Sequence, residues 1–215
     1  MMAIQSDISH AFQQYEEQKF CESKASFEKL LQNEMPILNE IQLRFVYGYP
    51  LSALGLVDEA VDNYERLGEL GKQSKNLKIV VQALHQIGMV YREAEQYDKA
   101  ISYFEKEQKM IHKRFIDNHL FLAANLYEMG YTPLLDGHVE VAYSFPVDSL
   151  TESEKSKDSI MKACAERALG EFYVKQDKPV VAQAYFEASI LSFKEAGDEI
   201  GATEVVELLE KLSDK

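Results

Sequence analysis

An all-α chain of stacked antiparallel helix pairs, an α-solenoid, is predicted by three observations. Glycines stand at Gly48, Gly88, Gly130 and Gly170, separated by 40, 42 and 40 residues. Twelve residues after each comes an alanine, Ala60, Ala100, Ala142 and Ala182, and four further on stand Tyr64, Phe104, Pro146 and Phe186. Around these markers apolar residues recur at helical spacing, as at Val80, Leu84, Ile87 and Tyr91. Self-similarity at a fixed period is the signature of a repeat array. A glycine inside a helix costs about 0.5–1 kcal/mol relative to alanine. Its recurrence implies that a second helix comes close there, with the aromatic filling the space beside the small pair.

Taken in order, the first unit (residues 4–35) is worn: Ala11, Ser23 and Phe27 fit the frame, and Phe27-Glu28-Lys29 echoes Phe104-Glu105-Lys106. The second (41–72) carries Gly48, Ala60 and Tyr64. The third (81–112) is the clearest, with a short polar link at 93–98 in which Asp98 is placed to cap the second helix. The fourth (123–150) is irregular. Pro133 falls near the end of its first helix and Pro146 stands where an aromatic is expected, so its second helix is predicted to be short, over 139–145. The polar run 147–158 then reads as a loop followed by the capped start of the next helix, and 132–158 as the stretch of fastest hydrogen exchange after the termini. The fifth (160–195) is regular again. A terminal helix over 198–213, with Ile200, Val205, Leu208, Leu209 and Leu212 on one face, closes the stack as arrays require. The whole reads as one domain over 1–215, with no β-sheet and ten or eleven helices.

Leu84, Ile87-Gly88, Tyr91, Ala100 and Phe104, and again Leu169-Gly170, Tyr173, Ala182 and Phe186, resemble the tetratricopeptide repeat (TPR) family pattern. The resemblance covers residues 5 to 195 and implies a right-handed superhelix. Three features depart from the family: there is no Trp, no proline closes each unit, and the period exceeds the family's usual length. The long period is similar to that of bacterial peptide-sensing regulators of the Rap and PlcR type and of kinesin light chains. The peptide sensors carry an N-terminal effector part, whereas repeat character here begins almost at Met1, so output is expected through a separate partner.

Composition excludes several functions. Charged residues make up 27% of the 215, and the net charge of −13 disfavours a nucleic-acid surface or docking on anionic membranes. No signal segment or membrane-spanning run occurs, and Cys21 and Cys164 read as free thiols in a reducing cytoplasm. Motifs for catalysis or nucleotide binding are absent. His10, His85, His112, His119 and His138 have no metal-ligand spacing, and His119 with Glu128 is a loose surface pair at best. No enzymatic activity, cofactor or metal is therefore expected.

The asset of such an array is the long surface lined by the first helix of each pair. Counting each glycine as position eight, positions two, five, nine and twelve face it. They supply Gln42, Phe45 and Tyr49, then Gln82, His85, Met89 and Arg92, then Tyr127, Tyr131 and Arg167. Rigid aromatics with a few orienting polar groups make a recognition surface. The expected ligand is a protein or peptide segment lying in one groove. Gln42 and Gln82 would bond its backbone, and Arg92 and Arg167 would orient a carboxylate. The Lys/Asn clamp of chaperone-tail receptors is not visible. Alternative readings are a phosphatase-like modulator of a bacterial response regulator, and a self-assembling scaffold in which the aromatics form a homodimer interface.

Overall fold

The computed structural model describes residues 2–142 and 144–213, and all of their side chains except those of 2, 3, 141, 142 and 213. Ala142, expected as a packing alanine, therefore has its side chain outside the described residues. Twelve helical segments and no strand occur among the described residues. The chain divides into two compact units, Met1–Lys106 and Glu107–Lys215, the boundary falling inside one helix.

In the first unit α1 (Met2–Glu16), α2 (Phe20–Leu31), α3 (Ile37–Ala53), α4 (Val57–Gln73), α5 (Leu77–Glu93) and the start of α6 (Tyr97–Arg114) follow one another as antiparallel neighbours. The first helices α1, α3 and α5 also touch in succession and so form one layer. The core between the layers holds Phe27, Leu43, Leu51, Tyr64 and Leu67, all essentially inaccessible to solvent. A Cβ on Gly48 would overlap the Tyr64 ring, and one on Gly88 would overlap Phe104. The small-to-large ruler thus sits at the helix–helix contacts, with Ala60 and Ala100 buried beside it.

Asp98 lies inside the first turn of α6 rather than ahead of it. There it favours the positive end of the helix dipole and does not serve as the cap. True caps are Asn76 on α5, Asn118 on α7 and Asp158 on α10, each accepting a backbone N–H. The turn within each pair also repeats: Gln18, Gly55, Glu95, Gly137 and Asp177 all have φ between 55° and 85° and stand seven residues after Ala11 or the glycine. Only two of the five are glycine, so the left-handed turn is held by the packing on either side.

The second unit holds the end of α6, α7 (His119–Leu135), the four-residue α8 (Val139–Ala142), α9 (Ser144–Ser156), α10 (Ser159–Lys175), α11 (Pro179–Ala196) and α12 (Glu199–Ser213). Here the sequence reading needs correction, because most of the polar run 147–158 is helix α9. Pro146 is the third residue of α9, where the backbone N–H would have no helical acceptor, so it starts the helix instead of breaking it. Its ring lies against Gly130, where a Cβ would come within 2.7 Å of Pro146 Cδ, and so takes the place of the aromatic. The serines are polar but packed. Ser149 and Ser153 are fully buried, and Ser149 donates to the Ala123 carbonyl at 2.8 Å. Amides over 149–156 are accordingly expected to exchange slowly, with the fastest exchange of this region at the 136–138 turn; fast exchange throughout 149–156 would contradict the helix.

Terminal helix α12 packs on α11, with Ala202 and Val205 buried and Leu208, Leu209 and Leu212 half-buried. Ile200, expected on that apolar face, is instead 77% exposed in the first turn.

Candidate partner-binding face

In the first unit the residues singled out from the sequence lie on two neighbouring helices of one layer, Gln42, Phe45 and Tyr49 on α3 and Gln82, His85, Met89 and Arg92 on α5. Gln42 is exposed and the others are half-buried. Tyr49 belongs to a ring cluster that extends onto α1: its centroid lies 6.0 Å from Phe45, 6.3 Å from Phe12 and 5.8 Å from Tyr15. Phe12 and Tyr15 are themselves stacked at 5.7 Å. The backs of Phe12 and Phe45 rest on the core. Burial raises the phenol pKa of both Tyr15 and Tyr49, with a further push from Glu93 on the former and from Tyr15 on the latter. Both hydroxyls therefore stay neutral at physiological pH, and the cluster is an uncharged, amphipathic patch. His85 sits 5.8 Å from the Phe104 ring.

In the second unit Tyr127 and Tyr131 stack at 5.1 Å on α7. Tyr131 is only 7% exposed and packed with Leu134, Ala168 and Phe172, so its ring is core. Arg167 on α10 is already engaged. Its Nε donates to Glu171 at 2.9 Å, Nη1 to Glu204 at 3.0 Å and Nη2 to the Tyr131 hydroxyl at 3.4 Å. Desolvation opposes the charge, but the surrounding tyrosines and Glu171 outweigh it and hold the guanidinium protonated. With two carboxylates on one cation, this corner is not the waiting carboxylate receptor the sequence suggested. Cys164 is half-buried, and burial pushes its thiol up to about 11, which leaves it protonated and poorly nucleophilic.

His119 finds its partner on another helix: Nδ1 lies 2.7 Å from Glu152 on α9, while Glu128 is buried. Glu152 was missed because the run containing it reads as a loop. Also missed was a clasp within the helix pairs. Ser149 and Ser189 donate to the carbonyls of Ala123 and Ala163, both at 2.8 Å. The signal was available, since both serines stand nineteen residues after their glycine. Among the described residues no three His, Cys, Asp or Glu side chains converge as a metal site would require. No described helix is long and apolar enough to cross a membrane.

Residues 81–106 match the tetratricopeptide repeat model. No curated protein matches the chain. Among solved structures, aspartyl phosphate phosphatase F from Bacillus subtilis superposes over 100% of this chain and 60% of its own, with TM-score 0.67 at 12% identity. The apo form of RapI does so over 99% and 64%, with TM-score 0.68 at 16% identity. The nearly identical TPR-like repeats of a putative kinesin light chain from Podospora anserina align over 90% and 96%, with TM-score 0.62 at 14% identity. The chain spans less than two thirds of the length of the phosphatase and of RapI. Stacked helix pairs keyed by a small residue against a large one, a repeat match over 81–106 and these superpositions lead to one conclusion: this is a tetratricopeptide-type helical-repeat fold.

Proposed function

We propose that the chain is a non-catalytic, cytoplasmic protein- or peptide-binding module, a regulatory adaptor that engages its partner through the first-helix face. One observation carries the reading. Phe45 and Tyr49, with Phe12 and Tyr15, form an uncharged, half-exposed ring cluster on a chain of net charge −13; Gln42 shares their helix α3, and Gln82, His85 and Met89 lie on α5, the next helix of the same layer. Rings held on the core offer contact area at little entropic cost, and the amides can pair with a ligand's backbone. Within the second unit Tyr127 is a further half-buried ring, stacked on Tyr131, whereas Tyr131 and Arg167 serve the packing of their own unit.

The test compares what co-purifies from the native host with wild type and with a Phe45→Ala, His85→Ala variant. Loss of one well-placed anchor weakens binding by about 2 kcal/mol, near thirty-fold, so the double change is expected to abolish capture. Asp62→Ala, an exposed change on α4, is expected to leave it intact. Equal capture by a folded Phe45→Ala, His85→Ala variant would defeat the proposal.

A further inference from the structure

One large core residue carries a hydroxyl where its counterparts carry none. Tyr64 on α4 stands where the other units place Phe27, Phe104, Pro146 and Phe186. Its ring is fully buried, and its Oη has no hydrogen-bond partner among the described residues. A buried hydroxyl left unpaired costs stability, and Phe would fill the same space without that cost. The hydroxyl lies in the notch at Gly48, beside Tyr49 of the ring cluster.

The surroundings of that hydroxyl are negative. Helices α1, α3 and α5 run the same way in their layer and end at one edge, with Tyr15, Tyr49 and Glu93 in or next to their last turns. The negative ends of three helix dipoles meet there, and only α5 has a cation in its last turn, Arg92. Lys19, just past α1, is taken by Glu17 at 2.7 Å. Burial raises the phenol pKa of Tyr15, Tyr49 and Tyr64, and the further influences of Glu93 and of the phenols on one another all raise it too. No cation lowers any of the three, whereas Lys24 and Arg44 do so at Tyr47. Glu93 makes no hydrogen bond or ion pair among the described residues, and desolvation raises its carboxyl above the ordinary value against the pull of Arg92.

We infer that the edge of the ring cluster at Tyr15 and Tyr49 holds a cationic side chain of the partner segment, lysine or arginine. The cation enters between the two half-buried rings, whose faces attract it. Its charge meets Glu93, and one of its N–H groups donates to the Tyr64 hydroxyl, which gains the partner it lacks. The inference rests on the first-helix-face reading and names the partner's chemistry there.

The experiment titrates the full chain, its Tyr and Phe rings labelled for NMR, with the blocked peptides Ac-Ala-Leu-Arg-Leu-Ala-NH2 and Ac-Ala-Leu-Lys-Leu-Ala-NH2. Both are expected to shift the Tyr15 and Tyr49 ring resonances together. Affinity is expected to fall about ten-fold when citrulline replaces the arginine or norleucine the lysine, and equally on Glu93→Gln. Asp62→Asn, which changes the net charge by the same amount on exposed α4 surface, should leave it unchanged. Tyr64→Phe distinguishes a bonding role from a structural one by sign: it should weaken binding about ten-fold yet raise the thermal midpoint of the free protein. Phe already fills that place in three other units, so the variant is expected to fold. Unmoved ring resonances, equal affinity for the neutral peptides, or binding undiminished by Glu93→Gln or by Tyr64→Phe would each overturn the inference. Capture of the native partner separates this from the reading beneath it. Capture lost with Phe45→Ala, His85→Ala but kept with Glu93→Gln, Tyr64→Phe overturns the inference alone; capture kept by both variants overturns the reading as well.

Discussion

Gly88→Leu is expected to lower stability by about 3 kcal/mol, at the upper end of overpacking costs. On an open helix the same change would add up to about 0.8 kcal/mol of propensity. Here an added Cβ alone would overlap the Phe104 ring, which is itself fully buried. The ring must leave its site or the helices must part, and either loss exceeds the propensity gain. Gly88→Ala makes the sharper diagnosis because the sign reverses: stabilising on an exposed helix, it should destabilise here. Thermal or denaturant unfolding of the two variants checks this. An unmoved or raised midpoint for both would mean that the glycine is not a packing site.

Phe186→Ala is expected to cost about 3–5 kcal/mol, the range for emptying a buried aromatic site. Its ring lies on Gly170, where a Cβ would come within 2.5 Å of Phe186 Cδ1, among Ala163, Ala182, Phe193 and Val205. Because Gly170 offers no side chain to collapse inward, the void should persist. Phe186→Leu, which keeps most of the volume, should recover more than half of the loss. Urea unfolding monitored by far-UV dichroism distinguishes the two; equal and small effects would place the ring outside the core.

Both expectations come from a part of the fold that was legible in the sequence, because every helix pair meets the same steric demand and therefore repeats the same small and large residues. What escaped reading was whatever depends on partners distant in the chain. Arg167 looked like a free cation in the groove because two of its three partners, Glu204 and Tyr131, lie 37 and 36 residues away; the third, Glu171, stands one helical turn on and was legible as an i,i+4 pair. Helix α9 looked like a loop because its buried face is serine, whose hydroxyls are satisfied by helix carbonyls, as Ser149 shows. Pro146 looked like a breaker because its place in the first turn could not be known before the helix start was. Tyr131 looked like groove lining because a first-helix position that faces a partner in one pair can face the next helix in another.

The measurement that most directly tests the first-helix face is hydroxyl-radical footprinting of the native protein with and without its co-purified partner. Phe45, Tyr49, His85 and Met89 are oxidisable and half-buried on α3 and α5, while Tyr103 and Tyr185 are comparable residues on the second helices α6 and α11. The partner is expected to protect the first four and to leave Tyr103 and Tyr185 reacting as before. Protection confined to Tyr103 and Tyr185, with Phe45, Tyr49, His85 and Met89 unchanged, would contradict it.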